Sequence, residues 1–143
     1  MSIAGICIHN VETAGPEETV ANVARRMRDE RVGTIVVVDG DRKPMGIVSD
    51  RDVTVRVVAA GHDPARTAVR DIMTPMPTTV LRDTSIESAL GYMRTGHMRR
   101  LPVVDGLGRL IGIVTLDDAL RLLAEELGQV EKLLEEERPA HVS

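Results

Sequence analysis

Two stretches of this chain place a carboxylate three positions after a hydroxyl. They are Gly46-Ile47-Val48-Ser49-Asp50-Arg51-Asp52 and Gly112-Ile113-Val114-Thr115-Leu116-Asp117-Asp118, 66 residues apart, and in each a glycine-opened apolar strand runs into the hydroxyl. An ionised aspartate only accepts hydrogen bonds, so it suits the two donors of a ribose cis-diol. A hydroxyl one turn earlier can bind the same sugar, and a helix start adds a favourable field for phosphate. The same [Ser/Thr]-x-x-[Asp/Glu] spacing is also a helix-capping pattern, and one copy alone reads first as a cap. Two features favour a ligand: the shorter Asp replaces the usual Glu or Gln, and a Gly-Ile-Val strand precedes both copies. Capping and ligand binding do not exclude one another.

The elements that must position these pairs repeat with the same offset. Pro16 suits a helix start, Glu17 and Glu18 complement its first-turn dipole, and Val20, Val23, Ala24 and Met27 recur at helical spacing. Residues 34–38 and 45–48 are apolar runs on either side of Asp39-Gly40, which predicts an antiparallel hairpin. A helix over 50–60, with Val53, Val57 and Val58 apolar, is closed by Gly61. Residues 62–70 read as a linker, and Asp71-Ile72-Met73-Thr74-Pro75 as a rigid re-entry.

In the second half Thr84-Ser85-Ile86-Glu87 matches a capping box, Ile86, Ala89, Leu90 and Met93 mark a helix, and residues 101–104 and 110–114 flank Asp105-Gly106. Two similar units packed about a pseudo-twofold axis follow. Residues 1–13 read as a short helix or irregular lead-in before a strand. After the second pair, Leu116, Leu120, Leu123, Leu127, Val130 and Leu134 form a heptad-like stripe, with Glu125, Glu126, Glu131, Glu135, Glu136 and Glu137 on the other faces. That stripe has two readings, a helix folded back on its own domain or one that meets a partner.

Composition excludes several classes. The 143 residues carry 18 basic and 22 acidic side chains with no basic face, which argues against nucleic acid. Cys7 stands alone, so an intramolecular disulfide and a cysteine zinc site are out, and a reducing cytoplasm fits. No run reaches the roughly 18 apolar residues of a membrane span, and residues 1–8 lack the features of a signal peptide. Phe and Trp are absent and Tyr92 is the sole aromatic, so a flat ligand ring must lie between aliphatic side chains. His9, His62, His97 and His141 show no metal-ligand spacing. A P-loop, a glycine-rich dinucleotide turn and a nucleophile beside a base are missing, and Asp117 and Asp118 diverge by about 100° on a helix. The expectation is a protein that is not an enzyme.

The repeat, with Asp71-Ile72-Met73-Thr74 at the unit boundary and Arg100-Leu101-Pro102-Val103-Val104-Asp105 in the second hairpin, resembles a CBS (cystathionine β-synthase) domain pair, or Bateman module, over residues 11–127. The resemblance implies an α+β fold: two tandem β-α-β-β-α units packed through their sheets as a pseudo-twofold pair, with an extended C-terminal helix. The units would be 1–66, including the lead-in, and 67–127, followed by a helical tail over 128–143. It also implies two clefts that bind AMP, ADP, ATP or other adenosyl compounds, with no cofactor required, and homodimers formed through the CBS helices, to which the C-terminal helix could add.

Carried over residue by residue, the second-unit cleft takes ribose on Thr115 and Asp118 and phosphate on Arg100, with an adenine wall around Glu12, Thr13, Val32 and Thr34. The first-unit cleft takes Ser49 and Asp52, walled by Thr74, Thr78, Thr79 and Met98. Thr34 stands where Arg100 stands in the other unit, which ranks the second cleft higher unless Arg51 or Arg99 compensates. Arginine forks two hydrogen bonds to phosphate, favouring a phosphorylated adenosine over S-adenosylmethionine. The implied function is a regulatory adenine-nucleotide sensor acting on an effector outside this sequence. The alternatives are a ligand-free interaction module and a sensor of S-adenosylmethionine or NAD(H).

Overall fold

In this computed structural model, which describes residues 1–6, 10–75 and 78–137, the 66-residue period is carried by the backbone. The first sheet and its helices comprise β1 (Thr13–Ala14), α1 (Val20–Glu30), β2 (Thr34–Val38), β3 (Pro44–Ser49), α2 (Asp50–Val53) and β4 (Thr74–Pro75). The second sheet and its helices comprise β5 (Val80–Leu81), α3 (Ile86–Gly96), β6 (Arg100–Val104), β7 (Leu110–Thr115) and α4 (Leu116–Glu137). The first sheet runs β1-β2-β3-β4 and the second β5-β6-β7. In each, a short leading strand lies parallel to the first hairpin strand, and the hairpin itself is antiparallel. The hairpin registers match, Thr34 opposite Ser49 and Arg100 opposite Thr115, with an irregularity at Val37/Val38 and again at Val103/Val104.

Local chemistry explains the boundaries. Helix α1 starts at Val20, later than Pro16, because Thr19 accepts from the Asn22 N–H at 3.2 Å. Glu18 is occupied elsewhere: its carboxylate takes the Gly15 N–H at 2.8 Å and the Arg26 guanidinium at 2.5 Å. That guanidinium holds the Glu18 carboxyl below its ordinary range, against the opposing effect of burial. Helix α3 is capped by Ser85, which accepts from the Ser88 N–H at 3.0 Å, so the Thr84/Glu87 box does not form; Thr84 Oγ1 accepts from Leu81 instead. Both helices end on a left-handed residue at the same point of the repeat, Arg31 and His97. The helix expected over 50–60 forms as α2 continued by a π-helical turn, Thr54–Val58.

The hairpin turns work through their aspartates. Asp39 Oδ1 accepts from the N–H groups of Asp41 and Lys43, and Asp105 Oδ1 from those of Leu107 and Arg109. The residue with positive φ is the fourth of the turn, Gly108 in one half and Arg42 in the other, rather than Gly40 or Gly106. Arg42 is held there by the other half: its carbonyl accepts from Leu110 N–H at 2.9 Å and its Nε donates to the Leu110 carbonyl at 3.1 Å.

Strands β2 and β6 are buried on both faces. Ile35 and Val37 point into a core with Val20, Val23, Val48 and Val57, while Leu101 and Val103 join Ile86, Ala89, Met93 and Val114 in a second core. Between the sheets lie Val36, Leu110 and Ile113, with Val11, Val38 and Ile47 around them. The two units therefore pack sheet to sheet. Their ends are exchanged: Ile3, fully buried, belongs to the second core, and Val69 and Ile72 belong to the first. Bridges Ser2–Ser85 and Thr19–Ala68, at equivalent points of the repeat, bind these segments in place. The boundary expected between residues 66 and 67 thus does not separate the cores. Helix α4 runs 22 residues and does not fold back: beyond Leu123 its residues are exposed apart from half-buried Gly128.

Candidate functional site

Both Ser/Thr-x-x-Asp pairs form complete capping boxes. Ser49 Oγ accepts from Asp52 N–H at 3.1 Å while Asp52 Oδ2 accepts from Ser49 N–H at 2.8 Å. Thr115 and Asp118 repeat this at 3.1 and 3.2 Å. Each helix start is pinned a second time, Asp50 N–H to the Gly33 carbonyl and Leu116 N–H to the Arg99 carbonyl. One carboxylate oxygen per aspartate, Oδ1, stays outside the box. Asp52 Oδ1 lies 3.8 Å from Arg56 Nε, and Asp118 Oδ1 lies 3.5 Å from Arg121 Nη1.

A cavity of about 160 Å³ opens beside the first box, lined by Ser49, Asp52, Thr34, Thr74, Met98, Ile47, Pro75, Arg99 and Arg100. Its walls follow from strand alternation. Ile47 and Ser49 share one face of β3, and Thr74 pairs with Ile47 across to β4. Gly46 permits that pairing, since a Cβ there would sit 2.9 Å from the Thr74 carbonyl oxygen and 2.5 Å from Met73 Sδ. Met98, from the α3–β6 connection, and the two arginines come from the second unit. Ile47, Pro75 and Met98 form an apolar wall that can take a flat ring, the hydroxyls of Thr34, Ser49 and Thr74 can bond a sugar, and the arginines supply positive charge. Among the described residues neither the Arg99 nor the Arg100 guanidinium has a hydrogen-bond or ion-pair partner.

A second cavity, of about 150 Å³, lies beside the other box and is lined by Arg99, Arg100, Thr115, Leu116 and Asp117. Arg100, expected to serve the second cleft alone, lines both. Asp118 itself is not among that cavity's walls; its side chain is 12% exposed and tied into the box. Glu12, Thr13 and Val32 line neither cavity. The Glu12 carbonyl accepts from Val36 N–H, the Thr13 carbonyl from Arg26, and Val32 packs against the first core. Thr78 lines a different cavity, along α3 with Ser88, Tyr92 and Arg94, and Thr79 is exposed.

The sequence reading lacked Ile47 and Pro75. Both carried a signal: Ile47 alternates onto the Ser49 face, and Pro75 directly follows Thr74. Among the described residues there is no group of three His, Cys, Asp or Glu side chains arranged to hold a metal ion, and no helix long and apolar enough to cross a membrane.

Comparison with known proteins agrees with this architecture. The CBS domain profile matches residues 3–59 and again 69–125. A Methanopyrus kandleri protein is 37% identical over 122 residues, 85% of this chain and 62% of that protein, so this chain spans less than two thirds of its relative. The crystal structure of Hypoxic Response Protein I, with two coordinated zinc ions, superposes with a TM-score of 0.75 at 30% identity, covering 85% of this chain and 98% of that one. A CBS domain protein from Pyrobaculum aerophilum complexed with AMP gives 0.73 at 27% identity, covering 82% and 89%. Matched in both halves of its repeat, the chain belongs to the CBS domain family and is a CBS domain pair.

Proposed function

We propose that this CBS pair is a regulatory sensor of a phosphorylated adenosine, AMP, ADP or ATP, and that the cavity beside Ser49 and Asp52 is its primary site. One observation carries the reading: two guanidiniums without a partner among the described residues, Arg99 and Arg100, stand at the same cavity as an apolar wall, three hydroxyls and a carboxylate. In this arrangement Asp52 and Ser49 take the ribose, Ile47, Pro75 and Met98 hold the base, and Arg100 with Arg99 takes phosphate. The planar guanidinium of arginine bonds two oxygens of a phosphate by parallel hydrogen bonds, which favours these nucleotides over S-adenosylmethionine. The AMP complex of the Pyrobaculum aerophilum relative supports the same ligand class. The protein has no catalytic role in this reading. It works in the cytoplasm as a homodimer built through the CBS helices and passes the ligand signal to an effector.

Calorimetry with AMP, ADP, ATP, adenosine, S-adenosylmethionine and NADH tests this. The nucleotides should bind at micromolar to submillimolar affinity, adenosine more weakly. At 100 times its dissociation constant a nucleotide adds about 2.7 kcal/mol of stability, readily seen as a raised melting temperature. No heat and no thermal shift with any of the six would overturn the sensor reading in favour of a ligand-free interaction module.

A further inference from the structure

Helix α4 is about 33 Å long at 1.5 Å per residue, and only its first two turns are seated on the protein. Leu116, Ala119 and Leu122 pack there, Ala119 at 3% exposure, and Leu123 is half-buried. Beyond them Leu127 is 70%, Val130 51%, Leu133 56% and Leu134 62% exposed. Leu120, Leu127 and Leu134 lie seven apart with Leu123 and Val130 between, the spacing of a two-helix seam. A helical stretch this short is marginal in water unless an apolar face is covered, and Gly128 weakens it further. The seam therefore calls for an occupant.

Charge decides which. Asp117, Asp118, Glu125, Glu126, Glu131, Glu135, Glu136 and Glu137 face only Arg121 and Lys132 on this helix. A second α4 laid parallel sets Glu126 against Glu131 across the seam. Laid antiparallel with Leu123 opposite Leu127 of the copy, it brings the two Glu126 side chains together and sets Asp117 near Glu131 of the copy. Like charges flanking a seam oppose pairing, and opposite charges select the partner. We propose that the distal half of α4 is a docking site for a basic amphipathic helix of another polypeptide, with leucine-type side chains on the seam and lysines or arginines over the flanking carboxylates.

The test uses the full chain and a labelled synthetic Lys/Leu amphipathic peptide of about 18 residues, long enough for a marginal helix to fold on contact. Anisotropy should show binding that weakens with added salt. In Leu127→Ser/Leu134→Ser, which keeps every charge, affinity should fall at least about tenfold, since two large apolar contacts are lost. Both positions are exposed, so the variant should melt like the parent and keep its AMP response, which separates failure here from failure of the sensor reading. Two results would overturn the proposal: no binding, or binding that the double substitution leaves unchanged, meaning attraction by charge alone. Light scattering supplies a third: a dimer that the double substitution turns into monomer assigns the seam to a second copy.

Discussion

The two Ser/Thr-x-x-Asp boxes have the same backbone, the same four hydrogen-bonding groups and cavities of nearly equal size, 160 against 150 Å³, and yet offer a ligand different chemistry. The first cavity has Ile47, Pro75 and Met98 as an apolar wall; the second has Leu116 and otherwise polar or charged groups. The difference arises outside the motif. At equivalent points of the repeat one unit has Gly33-Thr34 and the other Arg99-Arg100, so all the cationic lining comes from the second unit and serves both cavities. A repeated motif thus guarantees a repeated cap. Whether it becomes a binding site depends on non-equivalent neighbours.

The sharpest way to break the symmetry is at the exchanged ends. Ile3→Ala should destabilise by about 2–4 kcal/mol, as a fully buried aliphatic truncation does. Hydrogen exchange should show β6 and β7 loosening more than β2 and β3, although residue 3 begins the first half of the sequence. Equal loosening of both sheets would show that the halves are not separable in stability.

Next comes ligand binding. Asp52→Ala removes a charged acceptor and should weaken AMP about 10- to 100-fold by calorimetry. Asp118→Ala should weaken it less than about threefold, because Asp118 does not line a cavity while its capping bonds match those of Asp52. Both variants should lose similar thermal stability, since each loses the same cap. The reverse order of affinities would return the primary site to the second box.

Arg100→Ala should cost AMP roughly tenfold and leave adenosine almost untouched, since the lost interaction is with phosphate. An equal loss for both ligands would move Arg100 from the phosphate to the sugar or base.

The smallest effect is acid sensitivity of the first half. Glu18 and Arg26 pair across that unit, while the equivalent positions of the second hold Thr84 and Tyr92. The Glu18 carboxyl titrates below its ordinary 4.5 when folded. Its contribution is therefore complete above that value and disappears as pH falls through the depressed one. The side chains are 29% and 30% exposed, so the pair is worth about 1 kcal/mol or less. Glu18→Gln should flatten the stability profile below about pH 4.5, the range where Glu titrates. An unchanged profile would assign acid loss to other carboxylates.

Much of this was legible from residue order. The 66-residue offset, both hairpins, helix α1 with its apolar face and the two boxes follow from local spacing, because each is decided within a few residues. Ile3 and Val69 show the opposite case: buried aliphatics announce a core but not which one, and only tertiary pairing sends each to the distant unit. The sharing of Arg100 was hidden for a related reason, as it depends on how the two sheets meet at Val36 and Ile113. Asp39-Gly40 marked the hairpin correctly but not its geometry, since the aspartate shapes the turn through its side chain and the left-handed position falls on Arg42.

The exchange of terminal segments also sets a timetable for synthesis. Residues 1–6 are made before residues 84–86 and have nowhere to dock until these follow, because Ile3 bonds to Thr84 and Ile86 to Met1. The first unit, in turn, waits for Val69 and Ile72 to complete its own interior. A nascent chain halted near residue 66 therefore holds one unfinished core and one unclaimed end. The first core is complete once Val69 and Ile72 have followed, the second only after Val114, and a chain cut between them should leave neither half whole.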